Sequence, residues 1–231
     1  MIIVNKQVLL FDLDGTLVDS APDLAAAVNQ TLIHFDREPF PETTVRNWVG
    51  NGALTLISRG LSGDKNVDPR LSQTLVDDAL AVFLDFYEQC VCDKSKLYPN
   101  VKDTLLALKA QGYRLGIITN KPEKFVAPML DGLGLAGIFE LILGGDSLAE
   151  RKPHPLPLFT ACKWFEVSAD QCVMIGDSKN DILAAKAAKM DSIGLTYGYN
   201  YDEDLAIHQP NHLFSDFNEL LSVLKDIQEP A

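Results

Sequence analysis

Two carboxylates, Asp12 and Asp14, stand one residue apart where the apolar run Val8-Leu9-Leu10-Phe11 ends, and Gly15-Thr16 follows them. An uninterrupted apolar run reads as a buried strand. Carboxylates at the end of a core strand are costly to desolvate. Two together push their proton affinities apart unless a cation lies between them. Asp and Gly also form ordinary turns after strands. A calcium loop is excluded, because that loop needs glycine at its sixth position and helices on both sides. Here the sixth position is Leu17 and a strand comes first.

Further polar residues gather at the ends of other apolar runs. Thr119-Asn120-Lys121-Pro122 follows Leu115–Ile118. Gly144-Gly145-Asp146 and then Arg151-Lys152-Pro153-His154-Pro155 follow Leu141–Leu143. Gly176-Asp177-Ser178-Lys179-Asn180-Asp181 follows Cys172–Ile175. Each has an ordinary reading as a helix cap, a first-turn acid or a solvated lysine. Their shared position is what sets them apart, because ligands of open α/β sheets bind at the carboxyl ends of the strands. Asp181 lies one helical turn beyond Asp177, so both can face one point.

This set suits phosphoryl transfer. Clustered carboxylates call for a hard divalent ion such as Mg²⁺, which prefers oxygen ligands. The ion and Lys152 can neutralise phosphate oxygens, while Thr119 and backbone N–H groups at a helix start hydrogen-bond them. One aspartate can attack phosphorus and a second can carry protons.

The elements that must position these residues are legible from periodicity. Short apolar strands at Val8–Phe11, Leu115–Ile118, Leu141–Leu143, Cys172–Ile175 and Ser192–Leu195, with a weaker one at His212–Phe214, alternate with helices. Those helices are expected at Val101–Gln111, Pro122–Asp131, Pro155–Phe165, Ser178–Lys189 and Asp216–Leu224. The pattern predicts an α/β fold, a doubly wound, Rossmann-like parallel sheet covered on both faces. Between residues 17 and 92 only helical spacing is found, with helices expected from Ser20, over Gly52–Leu61 and over Pro69–Cys90. Ser20 with Asp23 has the spacing of a capping box. The expected organisation is therefore a core of residues 1–16 and 93–231 interrupted by an all-α insertion at 17–92. Gly132-Leu133-Gly134-Leu135-Ala136-Gly137 matches a dinucleotide fingerprint by letter, but it follows a helix and precedes a strand, the reverse of what that site requires.

Composition narrows the classes. Of 231 residues, 47% are apolar, enough for a sizeable core, and the net charge of −12 disfavours nucleic acid or an anionic membrane as partner. No segment has the length of a membrane span or the form of a secretion signal. The four cysteines are too scattered for a disulfide scaffold. A cytoplasmic protein with reduced thiols is expected.

With these residues in view, the chain resembles the haloacid dehalogenase superfamily. Asp12-Leu13-Asp14-Gly15-Thr16, Thr119, Lys152 and Gly176-Asp177 through Asp181 match its four motifs in order, and the helical insertion is similar to its α-helical cap. Closer loop matches, including Gly194-Leu195-Thr196-Tyr197-Gly198-Tyr199-Asn200 and Trp48-Val49-Gly50-Asn51-Gly52-Ala53, resemble the bacterial phosphoglycolate phosphatase branch. One departure is Lys189, where relatives usually carry glycine at the helix end.

The resemblance implies Mg²⁺-dependent hydrolysis of a phosphomonoester, 2-phosphoglycolate first, through an aspartyl-phosphate. Asp12 would be the nucleophile and Asp14 the acid and then the base. Mg²⁺ would be held by Asp12, the Asp14 backbone carbonyl and Asp177, with Asp181 supporting from behind. Thr119, Asn120 and Lys152 would bind the phosphoryl group. Gly50 and Asn51 of the cap would close over the substrate, and Arg59 is either a further cap contact or a solvated surface residue. A small phosphorylated metabolite is the expected partner of a monomer or homodimer.

Other activities on this scaffold fit less well. A dehalogenase lacks the second aspartate, and a P-type ATPase carries lysine in place of Leu13 and has membrane segments. A phosphonate hydrolase needs a reactive cap lysine, whereas Lys65 sits in a polar turn. A sugar phosphomutase shares every catalytic residue named. A phospholigand sensor would have no use for a nucleophile.

Overall fold

The computed structural model describes residues 3–225. Strand β1 (Val8–Phe11) is wholly buried, so the usual alternation of polar and apolar residues is missing. Its side chains still alternate in direction. Leu9 and Phe11 join one core cluster with Leu115, Ile117, Val173 and Ile175. Val8 and Leu10 join a second cluster on the other face, with Ile118, Cys172 and Met174. A continuous apolar run is what a strand needs when both its faces are covered.

The insertion follows directly. It begins with a two-residue strand, β2 (Val18–Asp19), and continues through α1 (Ala21–His34), α2 (Glu42–Arg46), α3 (Ala53–Ser62) and α4 (Gln73–Glu88). Strand β3 (Lys96–Leu97) then pairs antiparallel with β2, Val18 opposite Leu97, so the outgoing and returning chains are clasped together. This pair corrects the expectation that residues 17–92 hold no strand: two residues carry no readable periodicity. Helix α2 was likewise too short to be read. Helix α4 starts at Ser72, whose side chain accepts from the Leu75 N–H, and not at Pro69.

The expected capping box at Ser20 is not formed. The Ser20 hydroxyl instead donates to Asp14 at 2.5 Å. The Asp23 carboxylate accepts from the Lys94 and Ser95 N–H groups and from the Ser95 hydroxyl, at 2.6–3.0 Å. A buried carboxylate takes the largest number of donors within reach, and here those donors lie on the chain just before β3. They pin the start of α1 to it.

The remainder is α5 (Val101–Ala110), β4 (Arg114–Ile118), α6 (Val126–Gly132), β5 (Leu141–Leu143), α7 (Leu156–Phe165), β6 (Cys172–Gly176), α8 (Lys179–Ala188), β7 (Asp191–Leu195), β8 (His212–Phe214) and α9 (Leu220–Val223). The six-stranded sheet has the order β5-β4-β1-β6-β7-β8, and every pair in it is parallel. The helices expected from Pro122 and Asp216 open as 3₁₀ turns at Glu123–Phe125 and Phe217–Glu219 before becoming α-helical. The glycine-rich segment after α6 is a connection into β5, as its context required. No helix among the described residues is long and apolar enough to cross a membrane.

Lys189 ends α8 in the left-handed region, at φ 56°. A side chain there strains the backbone; glycine, with no Cβ, would relieve the strain, and its greater freedom in the unfolded chain would offset part of the gain. Lys189→Gly is expected to raise stability by about 1 kcal/mol in urea denaturation; an unchanged or lower midpoint would contradict this account of the cap.

Candidate active site

Strand order fixes where the chemistry lies. From β1 the sheet grows through β4 to β5 on one side and through β6 to β8 on the other. The crevice beyond the carboxyl end of β1 is therefore the switch point, the usual ligand site of such sheets. Asp12 leaves β1 there, its N–H bonded to the Ile175 carbonyl of β6. Thr119 leaves β4 and Asp177 leaves β6 at the same edge.

The carboxylates are arranged around two buried lysines. Lys152 Nζ lies 3.1 Å from Asp12 and 2.6 Å from Asp181. The other oxygen of Asp181 accepts from the Ser178 N–H and hydroxyl, closing the first turn of α8. Asp12 also accepts from the Leu13 N–H at 2.7 Å. Asp177 accepts from the Thr16 hydroxyl and from the Tyr199 N–H, each at 2.6 Å. Asp14 turns away from this group to Lys121 Nζ, 3.1 Å away. Two glycines let the backbone close around Asp177. A Cβ on Gly15, which has φ 89°, or on Gly198 would sit 2.2 Å from its carboxylate.

The electrostatics are those of a site short of positive charge. Burial pushes the Asp12 carboxyl up to about 7, against the pull of Lys152, and Asp181 and Asp14 push it further up. Burial also raises Asp177 well above the usual range, with Asp12 and Asp181 adding to the effect. For Lys152 burial works downward, but Asp12 and Asp181 outweigh it and hold the ammonium charged. Carboxylate oxygens of Asp12, Asp177 and Asp181 lie within 4.8 Å of one another. Hard oxygen donors, close spacing and surplus negative charge fit a small divalent cation.

A partly open cavity of about 30 Å³ lies above Asp12 and Asp14. Thr119, Asn120 and Lys121 line it from the core, and Gly50, Gly52, Leu56 and Tyr87 are among the residues lining it from the insertion. The hydroxyl oxygen of Thr119 accepts from the Lys121 N–H at 3.2 Å, which leaves its hydrogen available to a ligand.

Other expected contacts are rearranged. The Asn120 amide donates to the Gly50 and Lys152 carbonyls at 3.0 and 2.9 Å, so its N–H₂ group braces the insertion against the core. Gly50, at φ 116°, brings its carbonyl within reach of both Asn120 and Asn180. Asn51 and Arg59 do not line this cavity and belong to a wider outer opening with Arg151 and His154. Arg59 donates to the Trp48 and Lys65 carbonyls and stacks over Tyr201, which makes it a brace of the Gly50 loop. It lies outside the cavity and faces the outer openings.

Sequence reasoning did not assign Lys121, Tyr87 or Asn180. Lys121 Nζ donates to the Tyr87 hydroxyl at 2.5 Å as well as pairing with Asp14. Tyr87 lies on α4, stacked on Phe83 and edge-on to Phe125.

Comparison with known proteins agrees with this geometry. Residues 9–195 match the model of the haloacid dehalogenase-like hydrolases. The chain belongs to that family. Among haloacid dehalogenase-like relatives, a protein from Colwellia psychrerythraea named phosphoglycolate phosphatase is 60% identical over 221 residues, 96% of this chain and 98% of that one. The crystal structure of a predicted phosphoglycolate phosphatase from Haemophilus somnus 129pt superposes with a TM-score of 0.89 at 42% identity, covering 96% of this chain and 99% of that one. The structure of CbbY from Rhodobacter sphaeroides in complex with phosphate gives 0.76 at 26% identity, covering 95% and 96%. As a member of the family, this chain is a hydrolase with the family's sheet and helical insertion.

Proposed function

We propose that the protein is a Mg²⁺-dependent phosphomonoesterase that converts 2-phosphoglycolate to glycolate and phosphate through an aspartyl-phosphate. The observation that carries this reading is the convergence of Asp12, Asp14 and Thr119 on one cavity, with Lys152 directly beside Asp12.

In the first half-reaction an Asp12 oxygen attacks phosphorus, the ester P–O bond breaks, and Asp14 gives its proton to the leaving alkoxide. In the second, water attacks the same phosphorus, Asp14 takes a proton from it, and the acyl-phosphate P–O bond breaks to restore the Asp12 carboxylate. Asp14 is placed for the proton steps because it is held to the side, by Lys121 and Ser20, facing the cavity. Thr119 would hold a phosphoryl oxygen through its free hydroxyl hydrogen. Lys152 would offset charge on the phosphorylated Asp12. Asp12, the Asp14 carbonyl and Asp177 would hold Mg²⁺, and Asp181 would fix Lys152 and the start of α8. When bound, the ion supplies charge neutralisation between nucleophile and phosphoryl oxygens.

Residues 17–92 are proposed to act as the cap, hinged at the β2–β3 clasp and closed by the Gly50 carbonyl and the Tyr87–Lys121 bond. The cavity's apolar cap side (Leu24, Val49, Leu56 and Phe83) suits a substrate with few hydroxyl groups better than a polyhydroxylated sugar. The name of the Colwellia relative points the same way. A small metabolite as substrate, a monomer or homodimer and a cytoplasmic setting complete the proposal.

Steady-state phosphate release with Mg²⁺ tests it, comparing 2-phosphoglycolate with sugar phosphates, nucleotides and p-nitrophenyl phosphate. The expected kcat/KM preference for 2-phosphoglycolate is more than about 100-fold. Equal turnover of another ester would discard the substrate. Isomerisation of a sugar phosphate without phosphate release would replace hydrolysis with phosphomutase chemistry.

A further inference from the structure

We infer that Lys121 is the specificity residue of this site: its ammonium receives the carboxylate of the substrate and so selects phosphate esters that carry an acid group one carbon from the ester oxygen. The inference rests on the phosphatase reading above and assigns a residue that the four motifs leave without a role.

A second anionic group entering a largely apolar cavity must find a counter-charge, because desolvating it unpaired is costly. Among the lining residues Lys121 is the one cation. The other candidates are committed elsewhere. Lys152 is wedged between Asp12 and Asp181. Arg59 is spent on two carbonyls, and Arg59 and Arg151 face the outer openings.

Lys121 is also held in one place. It is only 4% exposed, and one carboxylate (Asp14) and one hydroxyl (Tyr87) take two of its three N–H donors. The ring of Tyr87 lies 4.5 Å below the ammonium. The third donor is left for whatever occupies the cavity. The first turn of α3, begun at Gly52 without a side-chain cap, lines the same cavity and adds favourable dipole to an anion there.

Distance sets the substrate class. Asp14 must reach the ester oxygen to protonate it, and Lys121 Nζ is 3.1 Å from Asp14. A carboxylate on Lys121 is thus separated from the ester oxygen by a span that a single CH₂ group fills. Longer or branched acids would place their charge beyond it. Tyr87 comes from α4 of the insertion and Lys121 from the core, so the acid-binding position is complete only when the two are in contact.

The experiment compares 2-phosphoglycolate with 2-hydroxyethyl phosphate, in which a hydroxymethyl group replaces the carboxylate, on wild type and Lys121→Met. The ratio of the two kcat/KM values is expected to fall at least about 30-fold in the variant. Equal losses on both esters would assign Lys121 to Asp14 alone and overturn the inference, while a wild-type preference for the acid would leave the phosphatase reading standing. A wild type with no phosphate release from either ester would instead fail that reading. If Lys121→Met does not fold, inhibition of wild type by 3-phosphonopropionate, which keeps the atom count between phosphorus and carboxylate, and by propylphosphonate gives the comparison without a variant. Stronger inhibition by the carboxylate compound supports the inference, and equal inhibition overturns it.

Discussion

Replacing Asp12 with asparagine is expected to lower turnover by on the order of 10⁴-fold or more while the protein stays folded. On the proposed pathway the loss follows from the chemistry, because a carboxamide oxygen is a poor nucleophile toward phosphorus and the covalent intermediate could not form. Stability should survive for reasons visible around the residue. The carboxamide oxygen can still accept from the Leu13 N–H, and Lys152 keeps Asp181 as its partner at 2.6 Å. The substitution also removes a charge that Asp181 and Asp14 repel, so thermal unfolding without metal at pH 7 should be unchanged or shifted upward. Brief acid quench of wild type turning over labelled substrate should trap a phosphoryl group sensitive to hydroxylamine, and Asp12→Asn should trap none. Retention of more than about one percent of turnover would mean that water attacks the ester directly, with Asp12 reduced to a charge in the site.

How much of this arrangement could be read in advance depended on whether a residue's neighbours were near it in sequence. The parallel sheet was legible because each strand is buried on both faces and announces itself as an apolar run. Asp12, Thr119, Lys152 and Asp177 were legible because each terminates or follows such a run, and the ends of parallel strands share one edge. Lys121 was not legible as a site residue. Its partners are Asp14 and Tyr87, 107 and 34 positions away, and no local pattern separates a buried lysine from a solvated one. The same holds for the two Asn120 amide bonds: the side chain is expected at the phosphoryl group, and its N–H₂ group donates to the Gly50 and Lys152 carbonyls, 70 and 32 positions away. Asp23 shows the converse. Its spacing from Ser20 was correct for a capping box, and tertiary donors at Lys94 and Ser95 outcompeted the local one. Asn51 and Arg59 face the outer opening, because α3 presents its Gly52–Ala53 start to the cavity.

Removing Mg²⁺ is expected to abolish turnover reversibly, and the same ion should reverse the pH dependence of stability. In the metal-free protein the Asp12 carboxyl titrates near 7, against 3.8 for an unperturbed aspartate, and Asp177 is shifted in the same direction. Between those values the folded state holds protons that the unfolded chain has released. Stability therefore falls as pH rises from about 4 to 7 and is greatest on the acid side of that window. A divalent ion favours the ionised carboxylates, so it competes with protons at pH 5 and binds well at pH 7.5. With ion at about 100 times its Kd the gain is about 2.7 kcal/mol, or about 5–10 °C for a chain of this size. The expected pattern is a melting temperature in EDTA that drops between pH 5 and 7.5, and one in millimolar Mg²⁺ that does not. Asp177→Asn should lose both the Mg²⁺ gain and most of the turnover, since it removes one of the carboxylates proposed to hold the ion. Lys152 cannot supply this behaviour in place of the ion, because one ammonium shared by Asp12 and Asp181 still leaves Asp12 raised. Full turnover in excess EDTA, or a melting temperature indifferent to Mg²⁺ at pH 7.5, would show that the three carboxylates are balanced by protein groups alone.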